Sequence, residues 1–291
     1  VGTPFDPYVN RTRCGGAMLL FAGVAGGLAA RWLAAGRRVA GSLALAPLLV
    51  LLVALLATTS RGALLGLGAA AGTFALLAPR GQRRRRVLPV ALGVAVVVLV
   101  GLQASGLLDE LVGRLGERQG RWTNRFAVQA AALREFVRHP LTGTGAGTFP
   151  VVFSAFQTID DVRYFGDAHS DWAQFLMETG LLGAAFAALL GRLLWRHGAH
   201  ASTSRDARAW QVRGALAGLA GLAVHGLVET NLHIPANAFL AAVVVGLACG
   251  TGASLRIGAR NSSPGDAQDD ESTGAVVGAP ASGAPHMRSR P

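Results

Sequence analysis

The chain contains no lysine: all 27 basic residues are arginine. It has only 16 acidic residues, giving a net charge of +11, and just 15% of its residues are charged. A soluble domain carries about 25%. Cysteine is nearly absent too, with Cys14 and Cys249 each inside an apolar block, so neither a disulfide framework nor a thiolate metal site can be built. The lack of lysine beside abundant Ala, Gly, Leu, Val and Arg reflects a GC-rich genome and carries no chemical message. A basic balance can signal nucleic acid. Here the arginines fall between apolar blocks, which reads as membrane topology and not as a nucleic-acid surface.

What is abundant is hydrophobic sequence, at 51% of residues and a mean hydropathy of +0.41. A membrane-crossing helix needs about 20 apolar residues, within a range of about 17–25. Seven segments approach that length: 14–33, 39–57, 62–78, 87–104, 172–194, 214–232 and 236–253. The expected fold class is an all-α polytopic membrane protein. The loop PRGQRRRR (79–86) holds five arginines and no acid, which assigns it to the cytoplasm. The connections around Arg37–Arg38 and over 195–213 agree, so the N-terminus is expected outside and the C-terminus inside. The opening VGTPFDPYVNRTR shows no signal-peptide pattern, and an N-terminal part is expected to be missing.

The expected organisation is an external segment 1–13, helices one to four over 14–104 and a long external loop over 105–171. Helices five to seven over 172–253 and a small, polar, disordered cytoplasmic tail over 254–291 complete it. Within the loop, Phe126, Ala130, Leu133 and Val137 recur at helical spacing, predicting an amphipathic helix over 122–138. Arg125, Gln129, Arg134 and Arg138 occupy its polar side, and Pro140 ends it.

RHPLTGTGAGTF (138–149) contains a G-x-G-x-G run. A dinucleotide fingerprint would follow a strand and keep its third glycine, whereas this run follows a helix and has Thr148 there. The glycines read better as a tight loop returning the chain to the membrane. At the return, DAHSDWAQFLMETGLLG (167–183) places His169, Asp171 and Glu178 at or just within the surface. Glu178 reads as a buried hydrogen-bonding anchor ahead of a catalytic group, and His169 as either an interfacial side chain or a functional one. Arg61 of TTSRG (58–62) is a snorkelling arginine or an anion site. In VHGLVETNLHIPANA (224–238), His225 and Glu229 share a predicted helix face, where a polar contact outweighs a metal pair without a third ligand. Asn231, His233, Pro235 and Asn237 read as an external turn. The external loop has no D-x-D motif, only adjacent Asp160 and Asp161.

In this order and at these positions, PYVNR, TTSRGALLG, NRF…HPLTGTGAGTF, AHSDWAQFLMETGLLG and ETNLHIPANA resemble the O-antigen ligase and O-antigen polymerase family over about residues 7–250. The resemblance implies the C-terminal portion of a GT-C-like glycosyltransferase, inverting and metal-independent, with no cofactor. Its donor would be a glycan on undecaprenyl pyrophosphate. Its acceptor would be a sugar hydroxyl on a lipid A core or a growing polysaccharide. The site would lie at the outer face of the bacterial inner membrane, with the lipid bilayer and no nucleic acid as partner. Arg61 and Arg125 match arginines that hold the pyrophosphate, and His169 matches the base. Arg138, Asp171, Glu178, Glu229 and His233 are candidate supporting residues. Gln129 departs from the family pattern, which carries an aromatic residue there, commonly Trp. A protein O-oligosaccharyltransferase and a lipid-linked glycan flippase are the alternative readings. The flippase is disfavoured by the absence of internal repeats.

Overall fold

The computed structural model describes residues 11–58, 60–79, 119–155, 165–204 and 206–261. Among them every regular element is helical: α1 (Arg11–Ala34), α2 (Arg38–Ala57), α3 (Arg61–Leu77), α4 (Gln119–Arg138), α5 (Phe149–Ala155), α6 (Asp171–Ser202), α7 (Ala209–His225) and α8 (Pro235–Asn261). Among the described residues three helices are long and apolar enough to cross a membrane: Thr12–Ala34, Arg38–Ala57 and Asp171–His200. Arg61–Leu77 and Pro235–Gly250 are shorter apolar helices. The expected segment 87–104 lies outside the described residues, as do 1–10 and most of the tail. The packing described below belongs to the compact unit Val1–Arg256; of the second unit, Ile257–Pro291, only the end of α8 is described.

Small residues bring α1, α3 and α7 together. A Cβ on Gly23 of α1 would lie 2.6 Å from the Gly214 carbonyl and the Gly218 Cα of α7, and one on Gly66 of α3 would lie 2.7 Å from the Gly221 carbonyl. Backbones this close gain dispersion and weak backbone contacts, which suits a membrane interior where lipid is as apolar as leucine. Side chains fill the rest: Leu20, Ala215 and Leu222 pack with Ala241, Val244 and Ala248 of α8.

Helix α7 corrects the expected segment 214–232, since it begins five residues earlier and stops at His225. Its early start follows from Arg213, which is buried with its guanidinium 4.5 Å from the Trp210 ring centre. Stacking on an aromatic face lets an arginine sit inside a helix that a hydropathy window would end there. The early stop follows from Asp171, whose backbone N–H donates to the Gly226 carbonyl at 2.8 Å and whose carboxylate accepts from Asn231 N and Leu232 N. His225 and Glu229 therefore do not share a continuous helix. At the other end of the chain α8 runs to Asn261, past the expected 253, because no proline intervenes before Pro264.

The face of α4 is also corrected. Val128, Ala131 and Ala132 are buried, packed with Phe149, Phe153 and Met177, whereas Phe126, Ala130, Leu133 and Val137 are exposed. A helical period fixes that a stripe exists, but not which surface covers it.

Helix α6 is broken at Gly180 (φ 63°, ψ −161°). The break releases the carbonyls of Met177 and Glu178, which accept from Thr144 N and Gly145 N at 2.9 Å. It also releases the amides of Leu181 and Leu182, which donate to the Pro140 and Leu141 carbonyls at 2.8 and 3.1 Å. The glycine loop thus replaces the missing helical bonds, as buried backbone groups require. Two glycines make this approach possible. A Cβ on Gly143 (φ 67°) would lie 2.4 Å from the Glu178 carbonyl carbon, and one on Gly180 would lie 2.4 Å from the Leu141 oxygen. Gly180→Ala incurs about 1–3 kcal/mol from its positive-φ, essentially glycine-only backbone alone, before the clash. Thermal unfolding in detergent is expected to show a lower midpoint for Gly180→Ala, while Gly246→Ala, where a Cβ meets nothing within 4 Å, leaves it unchanged or higher.

Candidate functional site

The polar residues of the sequence analysis collect around the start of α1, the start of α3, the inner side of α4, the segment before α6 and the turn 226–234. Ser60 caps α3 by accepting from Ala63 N at 3.2 Å, which places Arg61 as the first residue of that helix. The neighbouring Gly62 abuts the His225 ring and Val228. From α4, Arg125 Nη1 donates to Glu229 Oε2 at 3.0 Å, with the Glu229 side chain 2% exposed. A carboxylate this deeply buried needs a cation, and it fixes the guanidinium in return. Among the described residues its second oxygen, Glu229 Oε1, has no hydrogen-bond partner, nor do the two ring nitrogens of the buried His225.

His169 is the only non-glycine residue with positive φ (53°) among those described. A left-handed non-glycine residue costs of order 1–3 kcal/mol and persists where its surroundings impose it. Three contacts impose it here. Gln129 Nε2 donates to the His169 carbonyl at 2.8 Å, His169 N donates to Asp167 Oδ1 at 3.0 Å, and the ring Nδ1 lies 3.3 Å from the same oxygen. Asp167 is itself held by an ion pair with Arg13 of α1 and by Thr230 Oγ1, which donates at 2.9 Å. Burial pushes the His169 imidazole below its ordinary value, and Arg125 and Arg13 add to that against the opposing pull of Asp167 and Glu229. Burial works to raise the Asp167 carboxyl, but Arg13, His169 and Thr230 outweigh it and hold the carboxyl below its usual range. The result is a neutral imidazole beside an ionised carboxylate at neutral pH.

The remaining candidates lie in supporting positions. Glu178 Oε2 accepts from Gly147 N at 2.9 Å, and Oε1 from Phe149 N at 3.2 Å and Gln174 Nε2 at 3.0 Å, so its carboxylate closes the glycine loop. Asp171 organises the turn 231–233. His233 bridges the two acids, with Nδ1 3.3 Å from Asp171 and Nε2 3.7 Å from Glu178. Arg138 is not brought to this cluster; it is largely exposed and pairs with Glu135 at 2.9 Å. Among the described residues no group of three or more His, Cys, Asp or Glu is arranged to hold a metal ion.

Residues 46–188 match the family model for O-antigen ligase. Over this stretch the chain is similar to the O-antigen ligase family. The matched stretch contains Arg61, Arg125, His169 and Glu178, whereas Arg13, Glu229 and His233 lie beyond it. No curated protein matches the chain.

Sequence reasoning passed over Arg13, Asp167 and Thr230, and took Gln129 only as a departure from the family pattern. The signals were present: Arg13 stands two residues after PYVNR, and Asp167 two before His169. Gln129 follows Arg125 by one helical turn, so it shares the inward side that the arginine takes.

The bridging His233 offers a test of the supporting network. The hydrogen bond to Asp171 and then the nearby Glu178 carboxylate raise its imidazole to about 9 from an ordinary 6.5. The folded state therefore favours the protonated form. Its stabilisation is fully present below the unfolded value and is lost as pH rises through about 9. Thermal unfolding midpoints measured across this window are expected to fall with rising pH, and His233→Gln is expected to flatten that dependence.

Proposed function

We propose that this protein transfers a glycan from undecaprenyl pyrophosphate to a sugar hydroxyl, of a lipid A core or a growing polysaccharide, with inversion and without a metal. The similarity of residues 46–188 to the O-antigen ligase family model supports this reading. The observation that supports the finer reading is the His169 imidazole with Nδ1 3.3 Å from Asp167 Oδ1, in the cluster where Arg125 is held against Glu229.

In this reading the acceptor hydroxyl attacks the anomeric carbon from the face opposite the pyrophosphate. Its proton passes to the His169 ring as the new carbon–oxygen bond forms. Asp167 beside Nδ1 orients the ring and stabilises the imidazolium that results, leaving Nε2 to receive the proton. The bond from the anomeric carbon to the phosphate oxygen breaks on the other side, and its electron pair leaves with the pyrophosphate. Arg125, held by Glu229, and Arg61 at the head of α3 stabilise that growing charge. Guanidinium groups stay protonated throughout, and their forked donors match phosphate oxygens in pairs. Fixing these groups before the substrate arrives makes their stabilisation greatest in the transition state.

Two results follow for transfer measured in membranes. His169→Ala is expected to abolish turnover, by 10²-fold or more for loss of a general base, with the protein accumulating normally. The wild-type activity is expected to rise with pH through a midpoint below 6.5, the ordinary histidine value, because the deprotonated ring is the active form. Full activity of His169→Ala, or an acid limb well above that value, contradicts the base assignment.

A further inference from the structure

The corrected face of α4 leaves an apolar stripe to be explained. Val137 is 71% exposed and Leu141, just after the helix, is 64% exposed, with Leu133 a turn earlier also exposed. Arg134 and Arg138 flank the stripe and are exposed as well. The backbone bond from Leu182 N to the Leu141 carbonyl sets this edge directly beside Leu181 and Leu182 of α6, which are exposed and lead on to exposed Phe186. The stripe is therefore continuous with the outward apolar face of a helix long and apolar enough to cross a membrane.

The length of that helix fixes the level. From Leu181 to Trp195, just before Arg196, the second limb of α6 rises only about 21 Å at 1.5 Å per residue. A hydrocarbon core is about 30 Å thick. With Arg196 at one surface, the acyl layer extends past Leu181 in the other direction and reaches its neighbours on α4. Irregular backbone survives at membrane depth only where its polar groups are satisfied by protein. Most amides of the loop after Leu141 meet that requirement: Gly143 N, Thr144 N and Gly145 N donate to backbone carbonyls, and Gly147 N and Phe149 N donate to the buried Glu178.

We infer that α4 and the corner at Pro140–Leu141 are embedded in one leaflet of the bilayer, with Val137 and Leu141 in the acyl layer. Arg134 and Arg138 reach the lipid phosphates. The partner of this surface is the lipid itself, an amphipathic helix lying with its apolar side among chains and its arginines among anionic headgroups. This inference rests on the membrane-spanning character of α6 and not on the proposed glycan transfer.

The test uses the protein reconstituted in nanodiscs of phosphatidylethanolamine and phosphatidylglycerol. Cys14→Ser and Cys249→Ser provide the background, and an environment-sensitive fluorophore is attached at Val137→Cys, Leu141→Cys or Arg134→Cys. At the first two positions the expected emission is blue-shifted, quenched by doxyl groups on lipid chains and insensitive to aqueous iodide. Arg134→Cys is expected to show loss of emission with iodide instead. Quenching of Val137→Cys and Leu141→Cys by iodide overturns the inference, because the stripe then faces water. Protection from both quenchers also overturns it, because protein then covers the stripe. The positions are exposed, and comparison of thermal midpoints with the background protein confirms that each labelled variant is folded.

Discussion

The architecture of the site depends on an exchange of backbone hydrogen bonds across the break in α6. Gly180 interrupts the helix, and the loop over 140–147 supplies the lost donors and acceptors. A broken helix in an apolar setting is otherwise costly, since each orphaned amide or carbonyl loses a hydrogen bond. The buried Glu178 fastens the same loop from the side-chain direction. The exchange joins the packing of Val128, Ala131 and Ala132 against Met177 in holding α4 beside the start of α6, where Arg125 and Gln129 meet Glu229 and His169.

Charge is distributed so that the polar groups of the cluster hold one another, in part across different elements. Arg125 from α4 is held by Glu229 from the turn after α7. His169 is held by Asp167, which is held by Arg13 of α1 and by Thr230 of that same turn. Asp171 shapes the turn and, through His233, joins it to Glu178 and hence to the glycine loop. The ion pairs are therefore better understood as positioning devices than as sources of stability, because desolvation offsets most of the Coulomb gain of buried charges. Under the proposed function, an incoming pyrophosphate meets an arginine whose orientation is already set.

Much of this was legible in the sequence. Apolar block lengths give α1, α2 and the second limb of α6. The pairing of Pro140 with the glycines gives the re-entry loop, and the family resemblance picks out Arg61, Arg125 and His169. What was not legible has definite physical reasons. Hydropathy treats Arg213 as a boundary, yet Trp210 shelters it inside α7. Periodicity finds the stripe on α4 but is blind to whether protein or lipid covers it, so the buried side was misassigned. The roles of Asp167, Arg13 and Gln129 arise from contacts between segments 40 to 154 residues apart in sequence, as in the Gln129–His169 bond and the Arg13–Asp167 pair. No local pattern announces such contacts.

The central claim is that Arg125 and His169 face one lipid-linked pyrophosphate sugar at this cluster. A structure of the protein in a lipid bilayer with an undecaprenyl-pyrophosphate glycan bound tests it most directly. The account predicts pyrophosphate oxygens within hydrogen-bonding distance of the Arg125 and Arg61 guanidinium groups, with the His169 ring on the opposite side of the anomeric carbon. A pyrophosphate seated elsewhere, with Arg125 still bound only to Glu229, would contradict it.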